Sequence, residues 1–300
     1  MKEEERELVI RRILVALDAS RDSLAALEAA AELAARLKAE LVGLFVEDIN
    51  LLRLAGLPFA REIRYPSAII QRLDSPRLEQ ELKVQATRMC RTLATAAEQA
   101  QVAWSFRVVR GQVTAEVLAA ALEADLLSLG ISSWPSARRG RLGSTARTVA
   151  VEAPHTVLLL QHGDKMRQPV LVTYDGSMAS MRALALAVRL VQTTEQADRL
   201  PLTVLILADE EALDTAQDLE QEVIAWLQER GLQANYRRLT RTDMPHLAQA
   251  VQAEQGGLLV LAGERSPIQA EAIQALLNKI DCPILLVRSL REESEAIAGG

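Results

Sequence analysis

The segment ILVALDAS at residues 13–20 returns in the second half of the chain as VLVTYDGS at residues 170–177. Each copy is a short apolar run that ends in Asp and Ser and precedes an Ala- and Leu-rich stretch. Further apolar runs close the halves in the same order, at 126–130 and 157–160 and then at 258–262 and 284–287. The repeating unit is therefore about 130 to 160 residues long, the size of a domain and too long for a solenoid module.

Short apolar runs alternate with stretches of helical periodicity along both halves. The runs typical of buried strands lie at 13–17, 41–46, 103–109, 125–129, 156–160, 170–174, 202–207, 233–239, 258–261 and 284–287. The helical stretches lie at 20–37, 76–101, 114–123, 144–152, 178–194, 212–230, 243–254 and 268–280. Such alternation is typical of a parallel sheet covered on both faces. We predict an α/β protein of two tandem Rossmann-like, doubly wound domains, each a five-stranded parallel sheet flanked by helices.

A polar segment at 162–169, broken by Gly163 and Pro169, separates the two copies. We therefore predict an N-terminal domain over residues 1–162, a C-terminal domain over 169–290 and a tail over 291–300.

Residues 47–75 have no counterpart in the second copy and form an insertion. The insertion mixes Leu, Ile, Phe and Tyr with four arginines, and Pro58 and Pro66 exclude a single long helix. Three interpretations remain open: a loop packed on its own domain, a lid over a ligand, or a docking surface for a protein partner.

Composition excludes several classes of function. A formal net charge of −6 argues against sequence-independent binding to nucleic acid. No apolar run reaches the roughly 20 residues that a membrane-spanning helix needs, so we expect no membrane span. Cys90 and Cys282 lie in opposite halves without CxxC spacing, and the acidic start lacks the apolar core of a signal peptide. We expect a cytoplasmic protein with reduced thiols.

Acidic residues follow the first two predicted strands, at the edge where open parallel sheets bind ligands. Asp18 would either accept hydrogen bonds from an adenine amino group or ribose hydroxyl, or cap the helix that begins near Ser20. Glu47 and Asp48 would either hold a divalent cation beside bound phosphates or form a solvated loop pair.

The loop after the fourth predicted strand begins at Gly130 and ends in Gly143, Ser144 and Thr145, where a helix starts. Glycine allows close approach of an anion, and hydroxyls, amides and the helix dipole at such a start favour phosphate. Four arginines surround the helix start, namely Arg138, Arg139, Arg141 and Arg147. They indicate either a phosphate site or a solvated basic face.

These residues resemble the universal stress proteins, in a tandem two-domain form that covers nearly the whole chain. The resemblance rests on the first strand ending in Asp, the VxxG turn at 108–111, the ADLL strand at 124–127 and the APxxVLL segment at 153–159. Nucleotide-binding members carry Gly, two residues, Gly, nine residues, Gly and then Ser or Thr. Gly130, Ser133, Gly143 and Ser144 reproduce that spacing, with Ser133 in place of the second Gly.

The resemblance implies a site for ATP or another adenine nucleotide, with or without Mg²⁺. Its implied residues line the adenosine, the ribose and the phosphates: Ala16, Asp18, Val46, Leu129, Gly130, Ser133, Arg141, Gly143, Ser144 and Thr145. In the second copy the fourth strand runs almost directly into a helix, so the long loop and its Gly-Ser are missing. We therefore expect nucleotide in the N-terminal domain only. In this family the last strands of two domains pair across a two-fold, which implies a pseudo-dimer between the halves and permits a homodimer.

The function implied is nucleotide-dependent regulation in a stress response, with at most slow ATP hydrolysis, because the sequence contains no evident general base or metal constellation. The alternative is an adaptor of the same fold that binds no nucleotide and docks a protein partner, such as a membrane transporter, through residues 47–75. Loss of nucleotide affinity on changing Gly143 or Ser144 would favour the first hypothesis, and loss of a partner on trimming the insertion would favour the second.

Overall fold

A computed structural model describes residues 9–64, 69–131, 142–161, 163–192, 202–209, 213–240, 244–263 and 270–288. The strands are β1 Arg12–Ala16, β2 Glu40–Asp48, β3 Arg61–Arg64, β4 Ile69–Arg72, β5 Trp104–Gly111, β6 Leu126–Gly130, β7 Thr156–Leu160, β8 Val170–Tyr174, β9 Leu202–Ala208, β10 Asn235–Thr240, β11 Leu258–Gly263 and β12 Ile284–Arg288. The helices are α1 Arg21–Leu37, α2 Ile49–Ala55, α3 Ser75–Ala100, α4 Val113–Ala121, α5 Ser144–Glu152, α6 Met178–Gln192, α7 Leu213–Gln228, α8 Met244–Ala253 and α9 Ala270–Leu277.

The two halves have the same strand order. In the first half the order is β5-β2-β1-β6-β7, and in the second it is β10-β9-β8-β11-β12, with parallel pairing throughout each group. Each group is therefore a five-stranded sheet whose order reverses next to its first strand, as in doubly wound folds. The predicted α/β class and parallel sheets are confirmed.

Two hydrophobic clusters cover the two faces of the sheet. One cluster lies under α1, α3, α6 and α7, and the other lies under α4, α5, α8 and α9. Strands β1, β7 and β8 are apolar and almost entirely buried because both faces are covered. Successive side chains alternate between the clusters, so that Ile13 and Val15 enter the first and Leu14 enters the second.

The last strands of the halves join the two groups into one ten-stranded sheet. Strands β7 and β12 are antiparallel, with Leu158 opposite Leu285 at the centre of the pair. The last strands of the two halves therefore pair with each other, as the resemblance implied. The domain limits at 162 and 169 remain a prediction.

Polar contacts reinforce the junction between the halves. The Gln161 amide Nε2 donates to the Leu277 carbonyl over 3.1 Å. The Arg288 guanidinium at the end of β12 donates to the carbonyl oxygens of Ala150 and Val151, the latter at 2.6 Å. These two carbonyls lie in the last turn of α5, where backbone carbonyls receive no hydrogen bond from an amide of the same helix. The second half therefore caps a helix of the first.

The insertion folds as the helix α2 and the two-stranded antiparallel hairpin of β3 and β4. The insertion does not form the single long helix that Pro58 and Pro66 excluded, but neither the helix nor the strand pair was predicted. Four apolar side chains of the insertion are substantially exposed: Leu51 by 37%, Leu54 by 47%, Leu57 by 40% and Phe59 by 74%. Within the described ranges, no helix combines the length and apolar character needed to cross a bilayer.

Candidate functional site

Three of the predicted site residues lie on one face of the first sheet, near the carboxyl ends of β1, β2 and β6. Leu129 is buried in the cluster under α4 and α5, and Ala16 and Val46 are half-buried against the same cluster. The register explains this arrangement, because Ala16 lies beside Leu44 and Val46 follows two residues later on β2. The structure thus provides an apolar floor at the edge where the sequence predicted an adenosine pocket.

Asp18 lies at the rim of this floor and stabilises the start of α1. Its Oδ1 accepts a hydrogen bond from the Ser20 amide over 2.9 Å, and Ser20 is the N-cap residue whose hydroxyl accepts from the Ser23 amide over 3.0 Å. The residue that caps α1 is therefore Ser20, and Asp18 holds the turn that precedes it. Asp18 is exposed, and its bond to Ser20 uses only one of its two carboxylate oxygens. The geometry is therefore compatible with a contact to adenosine, and that contact stays a prediction.

The second half repeats this turn. The Asp175 carboxylate accepts from the Ser177 amide over 3.1 Å, and the Ser177 hydroxyl accepts from the Ser180 amide over 3.1 Å. The Asp-x-Ser pattern is therefore a helix-capping device that both copies share, and it does not by itself distinguish a nucleotide site.

Gly130 ends β6 directly against the start of α1. A Cβ atom at this position would lie 2.5 Å from the backbone carbon of Asp22 and 2.6 Å from the nitrogen of Ser23. Only glycine therefore allows β6 and α1 to approach this closely. The packing role is independent of the ligand role that the resemblance implies.

The helix α5 begins at Ser144, with Gly143 as its N-cap residue. Gly143 has an ordinary extended conformation with φ −64° and ψ 163°, and its amide donates to the Ile131 carbonyl over 2.7 Å. Ser144 is exposed, and the Thr145 hydroxyl lies 3.1 Å from the Thr114 hydroxyl at the start of α4. Two helix starts with adjacent hydroxyls therefore face the same edge. Thr114 was missed in the sequence because it lies outside the spacing pattern.

Two of the predicted site residues, Ser133 and Arg141, lie outside the described residues, as do Arg138 and Arg139. Their part in the site stays a prediction. The described residues on either side of this gap, Ile131 and Leu142, have side chains buried in the cluster that contains Leu129.

Glu47 and Asp48 do not form a solvated loop pair, because both carboxylates have structural partners, and their part in holding a cation stays a prediction. Glu47 is only 7% exposed, and its Oε2 lies 2.8 Å from a nitrogen of the Arg110 guanidinium. The hydrogen bond to Glu47, followed by the charge of that carboxylate, raises the pKa of Arg110. Asp48 caps α2 by accepting from the Asn50 amide over 2.8 Å. Across the described part of the chain, His, Cys, Asp and Glu side chains form no group of three suited to a metal ion.

Comparison with known proteins gives a consistent result. The model of the universal stress protein family matches residues 10–161. A universal stress protein of Archaeoglobus fulgidus DSM 4304 superposes with a TM-score of 0.69 at 18% identity, over 92% of this chain and 98% of that one. A protein of Pseudomonas aeruginosa UCBPP-PA14 assigned to the same family gives a TM-score of 0.58 at 15% identity, over 98% and 99%. At these identities the likeness shows the fold, and no curated protein matches the chain.

Proposed function

The chain belongs to the universal stress protein family, and from this premise we propose that its first half binds ATP or a related adenine nucleotide and thereby regulates a stress response. The observation that carries the proposal is the meeting of an apolar floor, formed by Ala16, Val46 and Leu129, with the start of α5 at one sheet edge. Adenine needs such a floor, and phosphate needs such a helix start.

Each part of the edge has a distinct task in this proposal. The base lies against Ala16 and Val46. The second oxygen of the Asp18 carboxylate accepts a hydrogen bond from the nucleoside. The phosphates lie at the first turn of α5, where the amides that follow Gly143 have no partner within the helix. The hydroxyls of Ser144 and Thr145 supply further donors.

Occupancy, rather than turnover, is the proposed signal. Asp18, at the rim of the floor, already accepts a hydrogen bond from the Ser20 amide. A carboxylate in that role is a poor general base, so any hydrolysis would be slow.

The direct test combines ligand identification with titration. Protein purified without added ligand is denatured, released small molecules are identified by mass spectrometry, and ATP is titrated calorimetrically with and without Mg²⁺. We expect about one adenine nucleotide per chain and a loss of binding in Gly143→Glu, because its carboxylate repels phosphate. The matched control is Gln228→Glu at the exposed end of α7, which adds the same charge elsewhere. Absence of both released nucleotide and heat of binding would contradict the proposal.

A second candidate function, the adaptor, is favoured by the exposed apolar side chains of the insertion. Leu54 and Phe59 are 47% and 74% exposed, and the neighbouring Arg53 and Arg61 are also exposed. Apolar residues beside arginines are typical of protein interfaces. A photo-crosslinking amino acid at position 59 should capture one specific partner in cells, and Leu54→Ser should abolish that capture. The same label at Leu122, another exposed leucine, is the control.

A further inference from the structure

A helix of the second half holds the segment that opens α5 in the first half. The Leu142 amide donates to Oε1 of Gln274 on α9 over 2.7 Å, although the two residues lie 132 positions apart. Leu142 immediately precedes Gly143, the N-cap residue of α5. The start of α5 is thus fixed by a side chain that belongs to the other copy of the fold.

Neighbouring contacts orient this glutamine and keep the two helices together. Nε2 of Gln274 donates to the Asn278 amide oxygen over 3.3 Å, which turns Oε1 toward Leu142. One turn away, Arg147 of α5 and Glu271 of α9 lie 3.2 Å apart. That exposed ion pair contributes little by itself, so the hydrogen bond of the half-buried Leu142 amide is the more important contact.

The backbone amides around Gly143 are thereby divided into two groups. The Leu142 amide bonds to Gln274, and the Gly143 amide bonds to the Ile131 carbonyl over 2.7 Å. The amides of the following first turn have no acceptor within the helix and are the ones that can face an anion. A small displacement of Leu142 would therefore reorient the first helical turn of α5 away from a bound phosphate.

We propose that Gln274 is a positioning residue for the nucleotide site, through which the second half sets the affinity of the first half for phosphate. This inference rests on the proposed function. Gln274 does not touch the ligand, and its effect passes through Leu142 to the amides of α5. The second copy, which lacks the long loop, thus has a specific task at the site of the first copy.

The test compares a nucleotide with the matching nucleoside. Gln274→Leu removes the acceptor and keeps a side chain of similar size. We expect ATP to bind about tenfold more weakly, the typical effect of one lost hydrogen bond, while adenosine binds as to wild type because it does not reach α5. A merely structural defect would weaken both ligands. Gln228→Leu, a change of the same kind at the exposed end of α7, should affect neither.

Two more variants make the result decisive. Gln274→Glu keeps an acceptor oxygen for the Leu142 amide. At high salt, where its added charge is screened, its ATP affinity should be close to that of the wild type measured at the same salt concentration. Gln274→Met, a flexible side chain of similar length, replaces the Leu variant if the latter folds poorly.

The outcomes separate the two proposals. The inference is overturned if Gln274→Leu binds ATP as tightly as the wild type, or if it loses affinity for ATP and adenosine equally. In either case, ATP binding by the wild type still upholds the proposed function. If the wild type binds neither ligand, the proposed function fails and the inference fails with it.

Discussion

Ala19 and Gly176 occupy the same position in the two copies of the Asp-x-Ser turn, and both have left-handed backbone conformations with φ of 63° and 80°. Glycine adopts this conformation without steric cost, whereas alanine brings its Cβ close to the backbone. The first copy therefore carries local strain that the second copy avoids.

Ala19→Gly should stabilise the protein by about 1 kcal/mol, because it relieves this strain. The measurement is a thermal melt, with a rise of about 2 °C expected for a chain of this size. The reverse change, Gly176→Ala, should lower the melting temperature by more, because a Cβ there would also lie 2.7 Å from Cδ2 of Leu219. A lower melting temperature in Ala19→Gly would contradict the assignment of strain.

Gly130→Ala should destabilise the fold by about 1 to 3 kcal/mol, because overpacking forces β6 and α1 apart. Gly143→Ala is the matched comparison, since a Cβ there would lie 3.3 Å from the Ile131 carbonyl oxygen and needs only a small adjustment. Denaturant unfolding of both variants measures the difference. Equal stabilities would show that β6 can move away from α1 at little cost.

Arg110→Ala should lower the melting temperature by several degrees, because Glu47 would remain buried without its main cationic partner. Glu79 also lies near Arg110, at 3.4 Å, but it is exposed. Glu79→Gln should therefore have a small effect. The double variant Arg110→Ala with Glu47→Gln should recover part of the loss, and a purely additive result would rule out the proposed coupling.

Cys282 should resist alkylation in the native protein. Burial, followed by the nearby carboxylates of Asp164 and Asp281, raises the pKa of its thiol to about 12, so almost no thiolate exists at pH 8. A pulse of iodoacetamide should label the less buried Cys90 first, as mass spectrometry of tryptic peptides would show. Labelling of Cys282 at the rate of the unfolded chain would contradict its burial.

The same shift of pKa predicts how stability depends on alkaline pH. An unfolded cysteine titrates near pH 8.5, whereas Cys282 in the fold keeps its proton up to about pH 12. The free energy of unfolding should therefore fall as the pH rises from about 8.5 toward 12, since only the unfolded state loses the proton there. Cys282→Ala should have a shallower decline over that range.

Local patterns predicted the sheets well because burial on both faces leaves continuous apolar runs such as 156–160, whose limits match β7. Strand ends were less accurate where polar residues take part in the ladder. Arg12 and Glu40 begin β1 and β2, lie opposite each other and form an ion pair of 3.1 Å. Because both residues are charged, the apolar runs at 13–17 and 41–46 did not include them, and each strand was predicted to begin one residue too late.

The insertion and the junction were harder to predict for a different reason. The helix α2 presents Leu51 and Leu54 to solvent, so its apolar residues do not form the buried stripe by which a helix is identified. Gln274 and Leu142 meet through one hydrogen bond across two copies of the fold, and such a contact leaves no periodicity in the sequence. The turn formed by Asp18 and Ser20 before α1 depends only on neighbouring residues, so a helix start near Ser20 was predictable.

The antiparallel pair β7–β12 makes the contact between two related folds intramolecular. Separate chains would associate by mass action and part on dilution, whereas a short linker keeps one partner at an effective concentration on the order of millimolar. A symmetric dimer also repeats every substitution on both sides of its axis. Here Gln274 faces Leu142 without needing a mirrored counterpart, so a single polypeptide has the asymmetry of a heterodimer and a fixed one-to-one stoichiometry at any concentration.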